Sequence, residues 1–251
     1  LIPDLPNPFH ASFRGQLSAE FRLHFFGPRS ILTVMNCIVT AGPTYEKLDN
    51  VRRLTNFSTG RLGSELAAFL TGCGHEVTLL LGEQATHRPT NNVGKLEMFS
   101  TTADLRERFQ AHARQPVDAI FHAAAVSDFT FGKVWIRSPD GQLTEARSGK
   151  ISTREGTLLA ELLPTQKIIA ELRNWYPTAR LVGWKYEVDG DRAGVIRLAE
   201  RQLAECRTTA TVANGPAYGP GFGLVTGIGA SMHLPDSAAL FTALERLMAG
   251  A

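Results

Sequence analysis

The run from Cys37 to Gly63, CIVTAGPTYEKLDNVRRLTNFSTGRLG, constrains the fold more than any other part of the sequence. An apolar strand enters a long polar loop that closes on Asn56-Phe57-Ser58-Thr59-Gly60-Arg61-Leu62-Gly63, a run suited to opening a helix. A helix start made of small residues leaves backbone N–H groups unpaired and carries partial positive charge. Ser58, Gly60 and Gly63 are therefore the candidate cradle for a phosphate. A short-loop dinucleotide fold places G-x-G-x-x-G directly after the strand. Here a loop rich in Arg, Asn, Asp and Glu separates Gly42 from Gly60 and Gly63.

Hydrophobic periodicity fills in the rest. Residues 36–41 predict a buried strand and 60–72 a helix, with Leu62, Leu66, Phe69 and Leu70 at helical spacing. Strands are expected at 76–81, 95–99 and 117–126, and a helix at 102–113 capped by Thr101 or Thr102. Near-continuous apolar strands alternating with amphipathic helices imply an α/β, Rossmann-like, doubly wound and mostly parallel sheet. Between Asp128 and Gly156 the pattern lapses among glycines and basic residues, which predicts a mobile flap or hairpin excursion. Beyond it, strands are expected at 158–163, 180–188, 209–213 and 224–234, with helices at 166–175, 192–206 and 237–248.

Composition narrows the function classes. With 251 residues and 43% hydrophobic content the chain can bury one sizeable core. A formal charge of +2 with scattered Lys and Arg gives no footprint for nucleic acid. No apolar run approaches the ~20 residues that span a bilayer, so no membrane partner is expected. Three widely spaced cysteines fit neither a disulfide framework nor a zinc cluster, and point to a cytoplasmic protein. Residues 1–34, rich in proline and lacking a signal-peptide pattern, read as a disordered N-terminal extension before a single domain at 35–251.

Six ordered pieces, TAGPTYEKLDNVR, NFSTGRLG, AAAVSDF, SGKIS, VGWKYEVD and VAN, resemble phosphopantothenoylcysteine synthetase, a ligase family of coenzyme A biosynthesis. In many bacteria that ligase is the C-terminal half of a fusion with a flavin-dependent decarboxylase. The flavin half has no counterpart here, so the resemblance implies a stand-alone ligase and no flavin. It implies a homodimer whose substrates are 4'-phosphopantothenate, cysteine and a nucleoside triphosphate, with Mg2+ carried by the phosphates and no defined protein metal ligands. The substrate carboxylate attacks the α-phosphorus, releasing pyrophosphate, and the cysteine amine then displaces the nucleoside monophosphate.

Carried over residue by residue, the resemblance makes Asn56 the catalytic asparagine, whose amide would hydrogen-bond the acyl group. Arg52 would pair a substrate carboxylate or phosphate, and Lys150 would close over the triphosphate from the flap. Ala124 and Asp128 correspond to the nucleotide-pocket wall, Trp184 to a bulky group against the base, and Asn214 to the rim. Each has a plainer alternative: a cap for Asn56, a loop tether for Arg52, solvation for Lys150, a turn for Asp128, core packing for Trp184. Lysines often follow the flap lysine in the family, whereas here Ile151, Ser152 and Thr153 follow, leaving Arg147 or Arg154 to assist. Gln202 and Cys206 replace the lysine pair of the CTP-using branch, and Lys185 follows the aromatic residue as in ATP-using members, which leans the nucleotide towards ATP over CTP. Two rival readings are an NAD(P)-dependent short-chain-type reductase and a non-catalytic nucleotide-binding paralogue. Against the reductase stand the long glycine loop and the lack of a downstream Tyr-x-x-x-Lys pair.

Overall fold

The alternation of strands buried on both faces with amphipathic helices builds a sheet covered from both sides. The structure is a computed structural model that describes residues 33–89, 93–146, 149–152, 154 and 156–250. The expected extension at 1–34 lies outside them except for its last two residues, and Arg147 lies outside them as well.

In chain order the elements of the main sheet and its helices are β1 (Asn36–Ala41), α1 (Arg61–Gly72), β4 (Glu76–Gly82), β5 (Lys95–Phe99), α2 (Thr102–His112) and β6 (Ala119–His122). They continue with α3 (Ile168–Trp175), β10 (Arg180–Tyr186), α4 (Arg192–Cys206), β11 (Ala210–Asn214), β12 (Phe222–Gly227), β13 (Ala230–Leu234) and α5 (Ser237–Ala249). Between them lie a two-stranded hairpin, β2 (Tyr45–Lys47) with β3 (Arg53–Thr55), and a three-stranded antiparallel sheet of β7 (Phe129–Arg137), β8 (Leu143–Glu145) and β9 (Thr157–Pro164).

The eight main strands run in the order β13-β12-β11-β10-β6-β1-β4-β5, parallel from β5 to β11 with an antiparallel hairpin closing the other edge. This is the doubly wound arrangement expected from the sequence. The chain leaves β1 towards β4 on one side and later returns to β6 on the other, so the strand order reverses between β1 and β6. A crevice opens outside the carboxyl ends of the strands at such a reversal.

Side-chain alternation assigns the two faces. Cys37, Val39 and Ala41 of β1 and Phe121 of β6 pack with Leu66 and Leu70 of α1 and with α5. Ile38 and Ile120 pack on the opposite face with Phe109 of α2 and with Ile168 and Leu172 of α3. Helix α4 covers that second face further along, through Val195 and Ala199 against Ala213 and Val225.

Four boundaries depart from the sequence reading. The expected strand at 117–126 is only Ala119–His122, because the chain turns at once: the Ala123 N–H bonds back to the Phe121 carbonyl, and Ala125 bridges to Pro43. The apolar run at 224–234 is two strands around Gly229, whose φ of +70° permits the tight turn. The polar loop after β1 holds the β2–β3 hairpin. The flap holds a nine-residue strand, β7, concealed in the sequence by Gly132, which sits where the β7–β9 register shifts between Phe131 and Val134.

Candidate active site

Gly42 ends β1 with φ +79°, and Gly60 caps α1 with the same φ. A Cβ on Gly60 would lie 3.0 Å from the Ala85 Cβ and 3.2 Å from the Gly42 backbone nitrogen. The loop that separates these glycines in sequence thus folds out as the β2–β3 hairpin and returns to where it began. Loop length, which argues against a dinucleotide turn in the sequence, does not separate the glycines in space. Gly63 has another duty, since a Cβ there would meet the Ala41 Cβ at 2.7 Å and the Thr40 carbonyl at 2.9 Å. It lets α1 lie directly on β1.

A cavity of about 810 Å³ straddles the carboxyl edge of the sheet above this turn. Eight of the ten residues singled out from the sequence line it: Asn56, Ser58, Gly60, Gly63, Ala124, Asp128, Trp184 and Asn214. On the α1 face, the Leu62 and Gly63 N–H groups have no hydrogen-bond partner among the described residues, and α1 has no side-chain cap. The α2, α4 and α5 starts, by contrast, are capped by Thr101, Asp191 and Asp236. Open N–H groups at a helix start favour an anion. Further along the same face, the Trp184 Nε1 and the Asn214 Oδ1 are buried polar atoms without a partner. Both atoms are sealed from solvent, although their side chains line the cavity.

Asn56 is held by its amide. Its Nδ2 donates to the Ala125 and Val126 carbonyls, each at 3.2 Å, and its backbone oxygen accepts from the Ser58 N–H at 2.9 Å. Two neighbouring acceptors fix which end is nitrogen. Both amide protons are thereby engaged, and the side chain offers the cavity its Oδ1, an acceptor.

Arg52 and Lys150 stand apart from the cavity walls. The Arg52 guanidinium donates to the Asp49 carboxylate, with Nε at 3.0 Å, and to the Ile151 carbonyl at 2.7 Å. The Ile151 N–H donates back to Asp49 at 3.2 Å, and the Asn50 N–H donates to the Gly149 carbonyl at 3.0 Å. Arg52, by hydrogen bonding, holds the Asp49 carboxyl well below the usual carboxylate range. Arg52 and Asp49 at Ile151, and Asn50 at Gly149, together fasten the flap on both sides of Lys150, which is exposed.

Several walls were not singled out from the sequence. Phe57 is fully exposed at the mouth, beside Asn56. His122, at the end of β6, and Thr165 to Ile169, leading into α3, line the α2/α3 face. His122 immediately precedes the AAAVSDF piece, yet a single histidine in an apolar strand reads as core. Burial depresses its pKa to about 4, so the imidazole is neutral. Asp128 is the one acidic side chain among the cavity's described walls, and no cluster of three or more His, Cys, Asp or Glu that could hold a metal exists among the described residues. Cys37, Cys73 and Cys206 are free, and burial raises the Cys37 thiol to about 12, which leaves it protonated.

Fold and cavity together define a doubly wound α/β protein whose ligand crevice lies at the strand-order reversal, with an uncapped helix start at its edge. The family described as DNA/pantothenate metabolism flavoprotein C-terminal domain matches residues 32–227, and the chain belongs to it. Among curated relatives, a cysteine/cysteine sulfinic acid decarboxylase from an unknown prokaryotic organism is 32% identical over 67% of this chain and 45% of its own length. The coenzyme A biosynthesis bifunctional protein CoaBC of Bacillus subtilis is 31% identical over 76% of this chain and 43% of its own. The chain thus spans less than half the length of these relatives. The DNA/pantothenate metabolism flavoprotein structure from Streptococcus pneumoniae superposes with a TM-score of 0.75 at 24% identity, covering 87% of this chain and 100% of that one. A mutant of Cab2 in complex with phosphopantothenate-cysteine superposes at 0.65 with 18% identity, covering 86% and 88%. The family match sets aside the short-chain reductase reading.

Proposed function

We propose that this chain is a phosphopantothenate–cysteine ligase, joining 4'-phosphopantothenate to cysteine at the expense of ATP or CTP. The observation that carries the reading is the α1 half of the cavity, where open N–H groups of Leu62 and Gly63 lie on the same face as the Trp184 ring. The N–H groups suit a phosphate chain and the indole face a base, together a nucleotide. The family match and the coenzyme A relative support the choice of acid.

A carboxylate is too poor an electrophile for an amine to attack at neutral pH. Its oxygen therefore attacks the α-phosphorus, the bond to the bridging oxygen breaks and pyrophosphate leaves. The cysteine amine then forms the C–N bond, the nucleoside monophosphate departs with the C–O electrons, and the amine loses a proton. With both amide protons engaged, Asn56 acts through Oδ1, accepting from the attacking amine and orienting it towards the acyl carbon. Lys150 approaches the phosphates on the flap that Arg52 and Asp49 fasten, neutralising charge there. Mg2+ would be held largely by the phosphates, and Asp128, the one acidic side chain among the cavity's described walls, would be its protein partner there.

The assembly belongs to the same proposal. Phe129 and Leu162, on one face of the β7–β9 sheet, are each close to half exposed, an apolar surface that suits a second copy of the chain. No helix among the described residues is long and apolar enough to cross a membrane, and the substrates are those of a cytoplasmic enzyme. The test is pyrophosphate release with 4'-phosphopantothenate and each nucleotide, with and without cysteine. Turnover that collapses in Lys150→Gln is expected; no turnover with ATP or CTP in the intact chain leaves a non-catalytic nucleotide-binding paralogue.

A further inference from the structure

The loop after β1 buries a carboxylate that the cavity does not use. Glu46, in the middle of β2, is 7% exposed and accepts from two other elements at once. Its Oε1 takes the Thr102 N–H at the start of α2, at 3.1 Å, and its Oε2 takes the Thr130 hydroxyl near the root of β7, also at 3.1 Å. No cation pairs with Glu46 among the described residues, so these two donors and the positive end of α2 compensate it.

The polar contacts continue from there to Asn56. The fully buried Thr44 hydroxyl accepts from the Ser127 N–H at 2.8 Å and donates to the Ser127 Oγ at 3.0 Å, with the Thr102 Oγ1 3.3 Å away. The Thr44 N–H donates to the Ala125 carbonyl at 3.1 Å, the same oxygen that accepts from the Asn56 Nδ2. One short strand thus braces the start of α2, the segment that orients Asn56, and the root of the flap. The loop at the far end of its hairpin grips the flap again, at Gly149 and Ile151. Thr44, Glu46, Thr102 and Thr130 are not among the cavity's described walls, so no ligand there requires their polarity. A core that only had to pack would fill such positions with apolar side chains at little cost, whereas a satisfied polar network fixes one geometry.

We propose that Glu46 is a positioning residue for the reaction: through Thr130 its carboxylate pins the root of the flap to the frame that holds Asn56. Lys150 and Asn56 then address one bound nucleotide from fixed directions. The inference rests on the ligase reading for what is positioned, and on the hydrogen bonds for how. Released at the root, the flap keeps only the grip at Asp49, Asn50 and Arg52, and its lysine is presented over a wider spread of positions.

Steady-state pyrophosphate release separates this role from plain stability. Thr130→Val removes only the bond at the flap root, and Glu46→Ala removes both bonds. Each should raise KM for the nucleotide about tenfold and leave KM for 4'-phosphopantothenate unchanged. The double variant should be no worse than Glu46→Ala, because both changes cut the same bond. Glu46→Gln should recover most of the loss, since its amide oxygen can accept from Thr102 while its nitrogen donates to the Thr130 oxygen. A fall in kcat with both KM values unchanged, the mark of a smaller folded fraction, overturns the proposal. So does a wild-type nucleotide KM in Thr130→Val, a result readable even where Glu46→Ala does not fold. If the intact chain releases no pyrophosphate, calorimetric Kd values for ATP and CTP take the place of KM. A tenfold weakening in Thr130→Val then keeps the positioning role and sinks the ligase, and unchanged values sink both.

Discussion

Two glycines three residues apart do unlike work at the start of α1, and substitution separates them. Gly60 is needed for its backbone, whose φ of +79° strains any L side chain by about 1 kcal/mol. Gly63 is needed for space, because a Cβ would meet β1 backbone and side chain below 3.0 Å. Gly63→Ala should lower stability by about 1–3 kcal/mol, read as an earlier midpoint in urea; an unchanged midpoint would contradict the packing role. His122 gives a pH signature. Its folded pKa of about 4 lies below the ordinary 6.5, so the unfolded chain takes the proton first. Its contribution is present in full above pH 6.5, falls as pH drops towards 4, and is constant below, a loss of roughly 3 kcal/mol. His122→Phe should flatten the melting temperature against pH over that window. Equal slopes in the two proteins would show that His122 is not buried neutral. None of this was legible from the residue alone, since a histidine in an apolar strand carries no mark of which partner it meets across the sheet.

At the scale of elements, the flap and the loop after β1 act as one unit. The sequence places Arg52 and Lys150 far apart and suggests a substrate contact for each, but the fold brings the Leu48 to Arg52 turn against Gly149 to Ile151, with Ile151 buried. Arg52→Ala should speed hydrogen exchange at the Ile151 amide and raise KM for the nucleotide more than it lowers kcat; protection at wild-type level would contradict the tether. Because Arg52 holds the Asp49 pKa down, the Asp49 contribution is present above the unfolded carboxylate value. It is lost only as pH falls through the lower folded one, so the tether survives at about pH 4. Helices and inner strands were legible because burial writes its period into the sequence, as in β1, β5 and α4, whose ends fall where the periodicity sets them. The short pieces were not. Strands β2 and β3 have three residues each and β6 has four, too few to show a period, and the Gly132 irregularity disguises β7.

For the whole molecule, the glycine-rich run and the strand and helix order fix where the sheet reverses, and the reversal places the crevice. That is why eight residues chosen from sequence pieces scattered along the chain meet in one cavity. The cavity walls at His122 and Thr165 to Ile169 escaped notice because they come from separate elements with ordinary local sequence. The β7–β9 sheet sets the assembly prediction: Leu162→Glu should reduce the light-scattering mass of a dimer to that of one 27.4 kDa chain. A wild-type chain already of that mass would contradict it. The central claim is that the sheet's carboxyl edge turns a bound acid into a mixed anhydride with a nucleotide. Mass spectrometry of the intact chain with 4'-phosphopantothenate, ATP or CTP and Mg2+, cysteine withheld, tests it most directly. The account predicts an acyl-nucleotide together with an equal amount of pyrophosphate, both consumed into product or multiplied by turnover once cysteine is added. Unaltered acid and nucleotide under those conditions, with either triphosphate, would contradict it.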